Sequence, residues 1–190
     1  MPFPPIEALP SDRIWALPLA DTRSPLSDVQ MYWAGDGAGI DGAIAADFPV
    51  LGMKVPLQDP LQFQLGVSAA SFMGFAAGGE LTFDLLTFDG LFTFPLDIRW
   101  NRWSARLQWA HISAHWGDGV RKQGEKPTNL DSWSREFVEF QLGADLWFFR
   151  PYAGFHYITH STNENSLWGV QAGIDGSGPW KVAPCGGLDF

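Results

Sequence analysis

The stretch Asp89-Gly90-Leu91-Phe92-Thr93-Phe94-Pro95-Leu96-Asp97-Ile98-Arg99-Trp100-Asn101 decides the fold. Its even positions are Gly90, Phe92, Phe94, Leu96, Ile98 and Trp100, and its odd positions include Asp89, Thr93, Asp97, Arg99 and Asn101. Successive side chains of a β-strand point to opposite faces, so this spacing builds one apolar and one polar face. Beyond a tight turn at Asn101-Arg102 the pattern resumes. Trp103, Ala105, Leu107 and Trp109 share one face, and Ser104, Arg106 and Gln108 share the other.

The same period recurs on both sides of this hairpin. Val138, Phe140, Leu142, Ala144 and Leu146 oppose Glu139, Gln141 and Asp145. Phe149, Ala153, Phe155 and Tyr157 oppose Arg150, Tyr152, His156 and His160. Trp168, Val170, Ala172 and Ile174 oppose Gln171 and Asp175. Upstream, Ile40, Ile44, Ala46 and Phe48 oppose Asp41 and Asp47, while Leu61, Phe63, Leu65 and Val67 oppose Gln62, Gln64 and Ser68. These are about seven alternating segments separated by turn chemistry such as Gly176-Ser177-Gly178-Pro179, the pattern of an antiparallel up-and-down sheet that closes into a barrel. Residues 1–27 form an N-terminal extended segment and 28–190 the barrel domain. Gly35-Asp36-Gly37-Ala38-Gly39 is followed by no helical pattern, so it is a turn and not a phosphate loop.

Composition narrows the function. The chain has 190 residues, 46% hydrophobic and 17% charged, with 15% aromatic. Such a chain folds, and its length suits one domain. A net charge of -9 argues against a nucleic-acid partner. One cysteine, Cys185, excludes an internal disulfide and a multi-cysteine zinc site. No apolar run approaches the eighteen or so residues of a transmembrane helix. Residues 1–15 lack the charged and apolar regions of a signal peptide.

Alternation alone does not say which face points inward. A soluble calyx puts the apolar face inside; an outer-membrane barrel puts it against lipid and keeps polar groups in the lumen. Three features favour the second. The segments run about ten to thirteen residues, the length of a tilted membrane-crossing strand. Aromatics gather at both segment ends: Trp100, Trp103, Trp147, Phe148 and Trp180 by the short turns, Trp116, Trp133 and Trp168 by longer links. The turns at Asn101-Arg102, Trp147–Pro151 and Gly176–Pro179 are tight, whereas Trp116 to Trp133 is long and charged. On the polar face Arg99, Arg106 and Arg150 stand against Asp97, Glu139 and Asp145, with His156 beside them; in a lumen these residues pair between strands. With both termini expected at one end, the last segment ascends and stops at the other, so about ten strands are expected, with the chain ending at least one strand before its barrel is complete.

One stretch could carry chemistry. His111, Ser113 and His115 continue the apolar face at its outer end, where a serine and a histidine could hydrolyse lipid esters. Neighbours two apart on a strand are roughly 7 Å distant, so a base would come from another strand. The plainer reading is an interfacial hydrogen-bonding rim. By parity His156 and His160 face the lumen, so a four-histidine cluster would need a bulge. No metal or cofactor is expected.

The motif His111-x-Ser113-x-His115-x-Gly117-Asp118, followed by Ser134-Arg135-Glu136, resembles the signature of a bacterial outer-membrane family catalogued as domain of unknown function twelve-oh-seven. Asp84-Leu85-Leu86-Thr87-Phe88-Asp89 with Phe94-Pro95-Leu96 is similar to that family's preceding strand. Ala114 stands where a second serine is expected, and Gly119 where an acid is. The resemblance implies a Gram-negative outer-membrane barrel with no assigned activity. The expectation is an all-β transmembrane barrel of structural or passive, porin-like transport role, in contact with outer-membrane lipid, passing an unknown small solute or self-associating. A lipid hydrolase using Ser113 with His111 or His115, and a soluble calyx for an apolar ligand, remain the alternatives.

Overall fold

The structure is a computed structural model that describes residues 4–21, 23–34, 37–77, 83–122, 132–163, 166–176 and 185–189. Ten strands follow the period-two pattern: β1 (Ile6–Ala8), β2 (Asp28–Ala34), β3 (Gly37–Val55), β4 (Leu61–Ala77), β5 (Phe83–Trp100), β6 (Trp103–Trp116), β7 (Trp133–Ala144), β8 (Phe149–Ser161), β9 (Trp168–Gly176) and β10 (Cys185–Asp189). The short helix α1 (Gly119–Lys122) sits in the long β6–β7 link. From β3 to β10 each strand pairs antiparallel with the next, and β1 and β2 both pair with β3 along its other edge.

The register sorts the side chains into rows. Leu51, Leu65, Leu96, Leu107, Phe140, Phe155 and Val170 are successive partners from β3 to β9. One residue along, Gln64, Asp97, Arg106, Gln141, Gly154 and Gln171 are partners in the same way. The first row faces out: Phe155 and Val170 are 47% and 53% exposed. The second is enclosed, with Asp97 and Arg106 each 3% exposed. A soluble calyx has the reverse arrangement. Towards the β6–β7 link the inner face turns apolar, with Ala70, Leu91, Ala110, Phe137 and Ile158 in one buried cluster.

The sheet is curled around its polar face. Ile14 bonds to Gln64 on β4, while the adjacent Trp15 ring lies 4.4 Å from the Arg150 guanidinium on β8. Four strand spacings of a flat sheet would separate those walls by about 19 Å. Among the described residues no ladder joins β10 to β1 or β2, so the curl is open. Strand alternation makes β2 and β10 run the same way, and they could not pair antiparallel with each other.

Several expectations are corrected. Gly37, Ala38 and Gly39 belong to β3 and not to a turn; residues 35 and 36 lie outside the described residues. Gly39 suits that strand because any Cβ there would lie 2.3 Å from the Tyr32 ring on β2. β5 runs unbroken from Phe83 to Trp100. β9 ends at Gly176 and β10 begins at Cys185; the turn expected at 176–179 falls on residues 177–184, which lie outside the described residues. β3 and β4 run to 19 and 17 residues, longer than the alternation suggested. The other turns are tight: Trp100 pairs with Trp103, and Leu146 bridges Phe149. Asn101 and Trp147 make those reversals at φ 53 and 56.

Candidate functional site

The enclosed face carries a network that the strand register assembles. On β5 and β6 Asp97 accepts from Arg106 Nε at 2.7 Å and from its Nη2 at 2.8 Å. Such a bidentate pair holds the planar guanidinium fixed. Arg106 also lies 3.8 Å from Asp47 on β3, whose carboxylate accepts from Ser68. Arg99 pairs with Asp145 at the β7–β8 turn. Arg150 lies between two carboxylates, its Nη1 3.4 Å from Asp175 and its Nε 3.8 Å from Asp145. Glu139 accepts from Gln108 at 2.5 Å and Gln171 at 2.8 Å. Glycines make room for these groups: a Cβ at Gly169 would lie 2.2 Å from the His156 ring, and one at Gly143 3.1 Å from Arg150 Nη2.

The N-terminal segment between β1 and β2 fills the space this network surrounds. Arg13 pairs with Asp47 at 3.3 Å. The Ile14 amide donates to Gln64 at 3.3 Å, and Gln64 donates to the Asp12 carbonyl at 2.7 Å. Trp15, 1% exposed, has the Arg150 guanidinium 4.4 Å from its ring centroid and that of Arg106 at 5.8 Å. Cations over a desolvated indole are attracted by its π-face. The Leu19 amide donates to Asp175 at 3.0 Å, and Gln141 donates to Asp21 at 3.1 Å. Arg23 lies 4.0 Å from Glu139 and 3.4 Å from His156 Nδ1. The segment therefore touches the wall from β3 to β9.

The structure thus brings Asp97, Arg99, Arg106, Glu139, Asp145, Arg150 and His156 to one face. Sequence reasoning puts Asp47, Gln64, Gln171 and Asp175 on the polar face without counting them in the network, and it misses the partners supplied by the N-terminal segment. Trp15, set among Pro10, Pro18 and Pro25, was the one visible mark of that segment. What the interior offers, among the described residues, is a fixed field of both signs with no nucleophile–base pair in it.

His111, Ser113 and His115 lie on the outward face of β6 near its far end. His111 Nδ1 is 3.5 Å from Glu136 on β7, and its ring stacks on Trp109 with centroids 6.4 Å apart. His115 Nδ1 is 3.0 Å from Ser132 Oγ. Ser113 pairs across the sheet with Gly90 and Ser134, and among the described residues its pairing brings it to neither histidine. His160 is a correction. Phe137 pairs with Ile158 but Glu136 pairs with His160, so Thr159 is a bulge residue. The bulge turns His160 away from the lumen, to the same side as Glu136 and His111.

Of the aromatic residues singled out, Trp100, Trp103 and Trp147 stand at one end of the strands, and Trp116, Trp133 and Trp168 at the other. Trp147 is 96% exposed at the tip of its turn. Trp180 lies outside the described residues. No curated protein and no solved structure matches the chain. A family model described as protein of unknown function (DUF1207) matches residues 20–186, nearly the whole length, and the chain belongs to that family.

Proposed function

We propose that this protein is a β-barrel protein of a Gram-negative outer membrane, with its apolar wall in lipid and a structural or passive, porin-like transport role for a small solute. The observation that carries this reading is the inverted burial. A continuous row of leucine, phenylalanine and valine faces outward, while buried arginines and carboxylates fill the interior. In water that wall would expose an apolar surface far larger than a soluble monomer tolerates. Strand length agrees. β6, β7 and β8 have 14, 12 and 13 residues, which at about 3.3 Å per residue and a tilt of about 45° rise roughly 28–33 Å, the thickness of a hydrocarbon core. The exposed tryptophans at both strand ends sit where two membrane–water interfaces would be.

The test is extraction and electrophoresis of the expressed protein. It is expected in the membrane fraction and to need detergent for release. Unheated, it should migrate faster in a detergent gel than after boiling, because a folded barrel binds less detergent than its unfolded chain. Recovery from the aqueous phase without detergent, with one mobility before and after heating, would overturn the reading.

A further inference from the structure

The segment from Pro10 to Leu26 leaves the wall after β1 and returns to it at β2, and both strands are fastened to β3. It is a strap anchored at both ends, so it could swing out of the interior without leaving the molecule. Its grip is narrow. Ile14 and Trp15 are its large buried aliphatic and aromatic side chains, whereas Leu19 is exposed. Pro18 is fully buried as well and Arg23 lies 5.9 Å from the Phe137 ring centroid, while its other holds are single polar contacts to wall groups.

Those wall groups already have substitutes at hand. Arg106 is bound to Asp97 at 2.7 and 2.8 Å whatever the strap does. Arg150 is different. Its two carboxylates stand off at 3.4 and 3.8 Å, its Nη2 has no hydrogen-bond acceptor among the described residues, and the Trp15 ring covers its guanidinium. The Leu19 amide meanwhile occupies the other oxygen of Asp175. Withdrawing the strap frees that second oxygen of Asp175 and uncovers Arg150. The pair can then close into the bidentate geometry that Arg106 and Asp97 already show, which offsets the release of the strap's own hydrogen bonds. Two arrangements of one arginine, each with partners, make a bistable element of the kind a gate needs.

We propose that the strap is a displaceable gate, with Trp15 its latch between Arg106 and Arg150, and that its release opens the interior to small polar solutes. The proposal rests on the outer-membrane reading above. The test uses the whole protein in planar bilayers and in vesicles loaded with a small polar dye. Trp15→Ala removes the latch, and a truncated buried tryptophan shifts such an equilibrium by about tenfold or more; conductance and dye release should rise accordingly. A second variant acts in the opposite sense. A Cβ at Gly187 on β10 would lie 3.3 Å from the Ala20 Cβ, close to disulfide spacing. Ala20→Cys with Gly187→Cys, in a Cys185→Ser background, should lower conductance to the bare-bilayer level when oxidised, and a reductant should restore it. Because the cross-link keeps the strap in its native place, it decides the matter even where Trp15→Ala fails to fold. If every variant enters the bilayer, shows heat-modifiable mobility and conducts alike in both redox states, the gate is overturned and the membrane reading stands. Protein that stays out of the bilayer overturns both.

Discussion

Phe155→Arg is expected to destabilise the folded protein in lipid vesicles by about 2–4 kcal/mol relative to Phe155→Leu, the cost of a cation on the lipid face near the middle of a barrel strand. Phe155 lies midway along β8, is 47% exposed, and has the Phe140 and Trp168 rings 5.8 and 6.4 Å away. The leucine variant also lacks an aromatic ring to set against those two, so comparing the pair isolates the charge. Depth supplies a second control. Phe149, at the start of the same strand and also outward, should accept arginine for about 0–1 kcal/mol, because there the side chain reaches the interface. Urea titration of vesicle-reconstituted protein measures all three. In a wall facing water an exposed substitution stays within about 0.5 kcal/mol, whatever its depth. Arginine and leucine variants of equal stability at Phe155 would therefore remove the lipid from the picture.

What was legible in the sequence follows from where each feature is encoded. Alternation from Asp89 to Asn101 is local, because each residue's side is set by its immediate neighbours, so β5 to β9 and their polar faces could be written down at once. β4 is longer than its alternation suggests because Ala69, Ala70 and Ser71 put small residues on both faces and erase the contrast, and β3 because its register shifts between Pro49 and Leu51. The bulge at Thr159 left no trace, since a threonine there fits an uninterrupted strand equally well, yet it decides that His160 sides with Glu136 and not with His156. The strap was hidden for another reason. Its contacts join residues as far apart as Leu19 and Asp175, and no local period records such a pairing. Half of the candidate site, the charged wall, was therefore visible by parity. The half that fills it was not.

Asp97→Ala should be the most damaging single change inside the wall. It leaves Arg106, itself 3% exposed, without its bidentate partner. Breaking a buried pair from one side costs about 3–5 kcal/mol, because the surviving charge is neither solvated nor compensated. Asp47, 3.8 Å from Arg106, softens the loss, but its oxygens already serve Ser68 and Arg13, so the lower end of that range is expected. The pair Arg99–Asp145 gives the contrast. Its side chains are 29% and 41% exposed, and the buried Arg150, which Asp145 approaches only to 3.8 Å, keeps Asp175, so Asp145→Ala should cost about 1 kcal/mol. Thermal unfolding in detergent separates the two. Adding Arg106→Leu to Asp97→Ala should then recover most of the lost stability, since an apolar side chain in its place leaves no orphaned charge. If Asp97→Ala behaves like Asp145→Ala, water reaches Arg106 freely and the interior is an open aqueous channel, with no filled and desolvated lumen beneath the strap.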